Sequence, residues 1–207
     1  MPNFYRDNAD LKYYLDKGID WAPIVELTEY GFKAEDGFKD AEEAVAFYRD
    51  ILDLVGDFSA EQIAPLAAAI DEKGVHLEGG EVKVSEELDS LFKQMKEMEL
   101  YGMTLPRELG GMNCPMVLHM INTEILARGD TSVMAHYGFH GGIAMTLLFY
   151  AILEGSIEFQ KDPPAITKTR FDEAILEAWR LAEDLSRRGI GVAVFNELYA
   201  FKWEMTG

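Results

Sequence analysis

Two histidines, His136 and His140, are the residues whose type and spacing most suggest chemistry. They lie four positions apart in an apolar segment, so on a helix both imidazoles could bind one metal ion. A metal site needs more ligands. The nearby acid Glu124, with His119, belongs to another predicted helix. The pattern therefore favours packed or surface histidines, and we expect no metal.

Nucleophilic and acid–base chemistry finds equally little support. Cys114 is the only cysteine, so no internal disulfide can form and the chain fits a reducing compartment. No base lies near Cys114 in the sequence to activate it. The candidate acids Glu97, Glu99 and Glu124 fall on the polar faces of predicted helices, where water should solvate them. The residues alone predict no catalytic group and a structural or adaptor protein.

The net charge and the lengths of the apolar stretches argue against nucleic acid and membranes as partners. The 207 residues carry a formal net charge of -18, which repels phosphate backbones and anionic lipids. The longest apolar stretch, residues 143–153, is about half of what a bilayer requires. The N-terminus is polar and unlike a signal peptide. We therefore expect a cytoplasmic protein that binds no nucleic acid and has no membrane span.

Apolar periodicity predicts an all-α fold of five to six helices. An aromatic-rich arm, residues 1–41, precedes a helix from Glu42 to about Lys73 that should break near Pro65. Ser85 can cap the next helix, with Gly102 at its end. The segment 102–111 holds a proline and a glycine pair, which predict a surface loop.

The second half of the chain continues the helical pattern. Pro115 can begin a helix that Gly129 ends, and Asp130 can cap the next one. That next helix is apolar nearly all round, which predicts burial. Its glycines, Gly138, Gly141 and Gly142, allow either close helix packing, the favoured interpretation, or a wall that faces a ligand.

A linker with Pro163 and Pro164 then leads to an amphipathic helix from Thr169, and only residues 189–195 resemble a strand. The predicted domains are the arm (1–41), a helical domain (42–160), and a linker with a C-terminal helix of unassigned origin (161–207).

Three motifs occur in order: EQIAP at Glu61–Pro65, TLPRELGGM at Thr104–Met112, and TEILARGDTSV at Thr123–Val133. Together they resemble the N-terminal helical domain of the acyl-CoA dehydrogenases. The opening FYRDNADLKYYL resembles the longer branch of the family, which includes enzymes similar to 3-methylmercaptopropionyl-CoA dehydrogenases. The resemblance covers roughly residues 3–175. It implies a helical bundle, to which this sequence adds an N-terminal aromatic arm and an extra C-terminal helix.

The resemblance implies FAD-dependent α,β-dehydrogenation of an acyl-CoA thioester in fatty acid metabolism, with an electron-transfer flavoprotein as partner. In the family this domain walls one side of the acyl pocket. By position, the wall residues here are Tyr137, Gly138, Phe139 and Gly142.

The chain departs from the family in what it lacks. No segment matches the family's flavin-binding strand motif, and no glutamate can be matched to its catalytic base. Residues 176–207 match nothing in the family. We therefore expect the chain alone to be inactive. The alternative is a non-catalytic helical dimerisation or interaction module derived from this domain, and self-association is expected in either case.

Overall fold

The computed structural model describes residues 2–153, 155, 157–161 and 164–167, and most of these residues are helical. The α-helices are α1 (Ala9–Tyr13), α2 (Trp21–Thr28), α3 (Ala41–Phe58), α4 (Ala67–Lys73), α5 (Glu86–Glu97), α6 (Met116–Gly129) and α7 (Thr131–Leu153). The strands are β1 (His76–Glu78), β2 (Glu81–Lys83), β3 (Glu158–Lys161) and β4 (Pro164–Thr167), and they pair as β1 with β2 and β3 with β4.

The predicted helical class is confirmed. The predicted count of five to six helices was too low for the described residues, because the arm itself forms α1 and α2. The two small sheets were not predicted. Pro163, the helix expected from Thr169 and the strand-like residues 189–195 lie outside the described residues. No helix in the described part of the chain combines the length and apolar character needed to cross a bilayer.

Contacts divide the chain into two compact units. The first comprises Met1–Ala67, Asn113–Ala135 and Gln160–Ala165, and the second comprises Ala68–Met112, His136–Phe159 and Ile166–Gly207. The first unit contains α1 to α3, α6 and the first turn of α7. The second contains α5, the β1–β2 hairpin and the rest of α7.

The N-terminal arm is fixed to the first unit through Asn3, which is fully buried. Its Oδ1 accepts hydrogen bonds from the backbone N–H groups of Tyr5 (2.9 Å) and Arg6 (2.7 Å). Its Nδ2 donates to the Asp53 carbonyl oxygen (2.9 Å) on α3. The Phe4 N–H donates to the Gly56 carbonyl at 3.1 Å. A polar residue can be buried here because each of its polar atoms is hydrogen-bonded.

The predicted break near Pro65 is confirmed. After α3 the chain widens into a π-helical turn, Ser59–Ile63, in which the Ala64 N–H donates to the Ser59 carbonyl at 2.9 Å. The Ser59 hydroxyl donates to the Ile125 carbonyl (2.8 Å) of α6. A Cβ atom added at Gly129 would lie 2.6 Å from the Ser59 Oγ. The small residue therefore lets α6 pack directly on this turn.

In the second unit, Ser85 caps α5 as predicted, since its Oγ accepts a hydrogen bond from the Leu88 N–H at 3.2 Å. The predicted end at Gly102 was wrong. The helix ends at Glu97, and Glu99 adopts a left-handed conformation with φ 58°. β1 and β2 form an antiparallel hairpin around Gly79 and Gly80, whose positive φ angles suit a tight two-residue turn.

The segment 102–111 is a loop, as predicted, but it lies only partly at the surface. It begins at the end of the 3₁₀ turn Leu100–Gly102 and includes a second 3₁₀ turn, Arg107–Leu109. The side chains of Met103, Leu105 and Leu109 are buried. A Cβ at Gly111 would overlap the Leu105 carbonyl oxygen, so the turn closes tightly upon itself. Here the glycines allow a compact turn. Glycines also occur in exposed loops, so the sequence alone does not distinguish the two cases.

Candidate functional site

Helix α7 carries all four residues assigned to a ligand wall, and its start is fixed as predicted by Asp130. The Asp130 Oδ1 accepts hydrogen bonds from the Ser132 N–H (2.8 Å) and the Val133 N–H (3.0 Å). A carboxylate at this position satisfies N–H groups that the helix leaves unpaired and interacts favourably with the helix dipole.

Tyr137 points into the second unit. It is fully buried, its hydroxyl donates to the Met103 Sδ at 3.3 Å, and its ring centroid lies 6.4 Å from that of Tyr101. The Tyr101 hydroxyl in turn donates to the Met95 Sδ at 3.8 Å. His136 joins the same cluster, with its ring centroid 3.6 Å from that of Phe92. Tyr137 therefore serves as a packing residue in this structure.

Gly138, Phe139 and Gly142 lie on a different side of α7. Phe139 is 63% exposed, and a Cβ added at either glycine would meet no atom within 4 Å. Because successive helical residues are about 100° apart, these three share an arc that Tyr137 does not. The structure therefore brings together three of the four predicted residues on an open face and separates the fourth from them.

The open face continues toward the end of α7. Phe149, Tyr150 and Leu153 are exposed, and Leu153 is 80% exposed. Leu148 and Ala151, on the other side of the helix, are buried in a cluster with Ile157 and Ile166. The prediction that α7 is buried all round was therefore wrong for its second half. We call the exposed set Phe139, Gly142, Phe149, Tyr150 and Leu153 the α7 face.

Sequence reasoning missed the later part of the α7 face. When apolar residues lie on every side of a helix, the sequence does not distinguish the side that will be buried from the side that will face solvent. The contiguous exposure of aromatic and aliphatic side chains is a signal available only from the structure. Patches of this kind mark surfaces that bind an apolar ligand or another protein surface.

The other candidate residues do not form a site. Glu97, Glu99 and Glu124 are exposed, and Cys114 is buried. Among the described residues, no group of three or more potential metal ligands lies together, and the side chain of His140 is not described.

His119 is buried on α6. Burial disfavours the charged imidazolium there, and it lowers the pKa of His119.

A dinucleotide such as FAD would need cations or free helix N-termini for its phosphates. Several cations already pair with carboxylates: Arg6 with Asp53 and Asp57, Arg49 with Asp16, Lys73 with Glu87, and Lys93 with Asp89. The starts of α3, α5 and α7 carry their own acidic residues. These cations and helix starts therefore do not form a phosphate site for a flavin dinucleotide.

Comparison with known sequences gives one family. The acyl-CoA dehydrogenase N-terminal domain matches residues 47–161. The chain is 30% identical over 123 residues to 3-methylmercaptopropionyl-CoA dehydrogenase of Ruegeria pomeroyi, which is 59% of this chain and 19% of that protein.

Two plant proteins match a shorter region of 94 residues. Mitochondrial isovaleryl-CoA dehydrogenase of Oryza sativa subsp. japonica is 35% identical there, and mitochondrial 2-methylacyl-CoA dehydrogenase of Solanum tuberosum is 31% identical. Each match covers 45% of this chain and 21% of the relative. The chain thus spans about a fifth of the length of the curated relatives that it matches.

Proposed function

The chain belongs to the acyl-CoA dehydrogenase family through its helical N-terminal domain, and we propose that the α7 face forms one wall of an acyl-chain site. The open arc of Gly138, Phe139 and Gly142 carries this proposal. These three residues are positions that the family resemblance assigns to the acyl pocket, and the space beside both glycines is free. Tyr137 contributes indirectly, by supporting the helix from its buried side.

Two features of this surface would favour binding of an apolar chain. The chain would cover exposed apolar side chains, which stabilises the complex by about 25 cal/mol for each Å² buried. The two glycines would let it approach the helix backbone, while Phe139 would narrow the groove. The α7 face contains no carboxylate, imidazole or thiol, so its part in the reaction is to hold the substrate and exclude water.

The dehydrogenation itself needs a flavin, a base beside the α-carbon and donors at the thioester oxygen on one scaffold. Holding reacting groups together contributes about 7–11 kcal/mol to such reactions. The acids considered above, Glu97, Glu99 and Glu124, are exposed, and the paired cations described above offer no site for the phosphates of a flavin. We therefore propose that this domain acts as part of a larger acyl-CoA dehydrogenase and is inactive alone.

To test whether the domain by itself is inactive, the purified chain is assayed with added FAD, acyl-CoAs of several lengths and an artificial electron acceptor. We expect no turnover above the buffer blank. Turnover that survives repurification would contradict the proposal.

The acyl-wall role is tested in a complete enzyme that contains this segment. Gly142→Leu should fill the free space and shift preference toward shorter chains by tens-fold, since each methylene is worth about 1 kcal/mol in a pocket. Glu124→Leu adds the same side chain to an exposed position of α6 and serves as the control. An unchanged chain-length profile in Gly142→Leu would remove this residue from the site.

The second candidate is a non-catalytic interaction module, and the exposure of Phe149, Tyr150 and Leu153 favours it. A module of this kind would self-associate through the α7 face and stay colourless after purification. Flavin absorbance in the purified protein, or in its complex with a partner chain, would favour the enzyme.

Transfer of electrons to an electron-transfer flavoprotein and a cytoplasmic location remain predictions, and two of the relatives carry a mitochondrial designation.

A further inference from the structure

One carboxylate in the second unit joins two segments that are distant in sequence. The Glu108 Oε1 accepts a hydrogen bond from the backbone N–H of Ile166 at 3.0 Å, across 58 positions. Glu108 belongs to the 3₁₀ turn Arg107–Leu109, and Ile166 lies in β4. The bond is therefore made by the turn of the TLPRELGGM motif to the last described strand.

Apolar contacts surround this bond. Leu105 and Leu109 of the turn share a buried cluster with Ile157 and Ile166, and Leu148 and Ala151 of α7 complete it. Such packing is non-directional. A slip of one residue would turn Ile166 out of the core, because successive strand side chains point to opposite sides. The hydrogen bond to the Ile166 N–H adds a directional constraint that selects the same register as the packing does.

We propose that the segment Leu105–Gly111 acts as a clasp for β4, with Glu108 as the positioning residue that fixes the backbone of Ile166. The closed shape of the turn supports this role, because the backbone of Gly111 lies close to the Leu105 carbonyl oxygen and the turn that carries Glu108 is compact. This inference does not depend on acyl-chain binding.

The test uses the full chain and measures hydrogen exchange at the Ile166 amide. Glu108→Ala removes the acceptor and should raise the exchange rate about ten-fold, as expected for loss of one hydrogen bond to a charged group. Glu108→Gln keeps an acceptor oxygen without the charge and should give a smaller increase. Glu97→Ala, which removes an exposed carboxylate of α5 in the same unit, should leave the Ile166 rate unchanged.

Amides in α5 distinguish a clasp from a general stabilising role. An increase confined to β4 supports the clasp. An equal increase in α5 and β4 would show that Glu108 only stabilises the unit, and an unchanged Ile166 rate in Glu108→Ala would show that the bond does not hold the strand. Both of these results overturn the proposal, and Glu108→Gln supplies the comparison if the alanine variant does not fold.

Discussion

Gly56 of the first unit has surroundings opposite to those of two α7 glycines of the second unit, Gly138 and Gly142. In the first unit, a Cβ at Gly56 would overlap the Asn3 Oδ1 and lie 2.9 Å from the Tyr5 nitrogen. In the second unit, a Cβ at Gly138 or Gly142 would meet nothing within 4 Å. Gly56 is required for the close approach of the arm to α3, whereas Gly138 and Gly142 leave a surface uncovered. Gly141, which lies between them in α7, is buried. The surroundings of a helical glycine therefore depend on the side of the helix that it occupies.

The largest effect should come from Gly56→Ala. Overpacking at a close contact costs about 3 kcal/mol, and alanine recovers about 1 kcal/mol over glycine inside a helix. We expect the free energy of unfolding to fall by about 2 kcal/mol, the difference of these two values. Urea unfolding followed by circular dichroism measures it. A stabilised Gly56→Ala variant would show that the arm does not pack on α3 in this way.

Asn3→Ala should have the next largest effect, about 1–2 kcal/mol of destabilisation, because it removes hydrogen-bond partners from buried backbone groups. It also removes the Asn3 Oδ1, the atom that a Cβ at Gly56 would overlap most, and leaves the contact with the Tyr5 nitrogen in place. The cost of Gly56→Ala should therefore be smaller in the Asn3→Ala background than in the wild type. A double-mutant cycle measures both costs. Equal costs in the two backgrounds would show that Asn3 and position 56 do not interact.

Gly138→Ala tests the opposite case, an open glycine in the second unit. Its methyl group would meet open space, so only the helix preference of alanine remains. We expect a stabilisation of about 0.5–1 kcal/mol in the same urea experiment. Destabilisation would mean that something covers this part of α7 in solution, and light scattering would then show whether it is a second copy of the chain.

The smallest effect concerns His119, a buried residue of the first unit. Burial lowers its pKa, so the unfolded chain binds more protons at this residue than the folded chain does. Its contribution to stability is full above the ordinary histidine pKa of about 6.5. It is lost as the pH falls from there through the lower pKa of the folded state. The stability of the wild type relative to His119→Gln should therefore decline between about pH 7.5 and 5.5, and a parallel pH dependence of the two proteins would contradict this.

Local sequence signals predicted much of the fold. Ser85 and Asp130 cap helices as expected, and Pro65 marks the break after α3, because these residues act on their immediate neighbours. The helix end at Glu97 was missed, since a left-handed Glu99 has no signature as clear as a glycine. The segment 102–111 is more buried than predicted, because its apolar side chains find partners far along the chain.

The candidate site was predictable only in part. Family resemblance selected the Tyr137–Gly142 turn of α7, but the side that each residue faces depends on tertiary contacts. Tyr137 is buried by Tyr101 and Met103, which lie more than thirty positions earlier in the sequence. The exposure of Phe149 and Tyr150 could not be inferred from a helix that is apolar on every side.

The attachment of the arm also has a consequence for the order of events during synthesis. The Phe4 carbonyl accepts a hydrogen bond from Arg128 at 3.2 Å, and the Arg128 guanidinium lies 4.9 Å from the centre of the Phe4 ring. These partners are separated by 124 positions. At about 5–20 residues per second, the ribosome needs roughly 6–25 seconds to add that length of chain. The arm is therefore synthesised well before Arg128 is available to bind it. A chaperone that binds the aromatic arm during this interval would delay folding of the first unit.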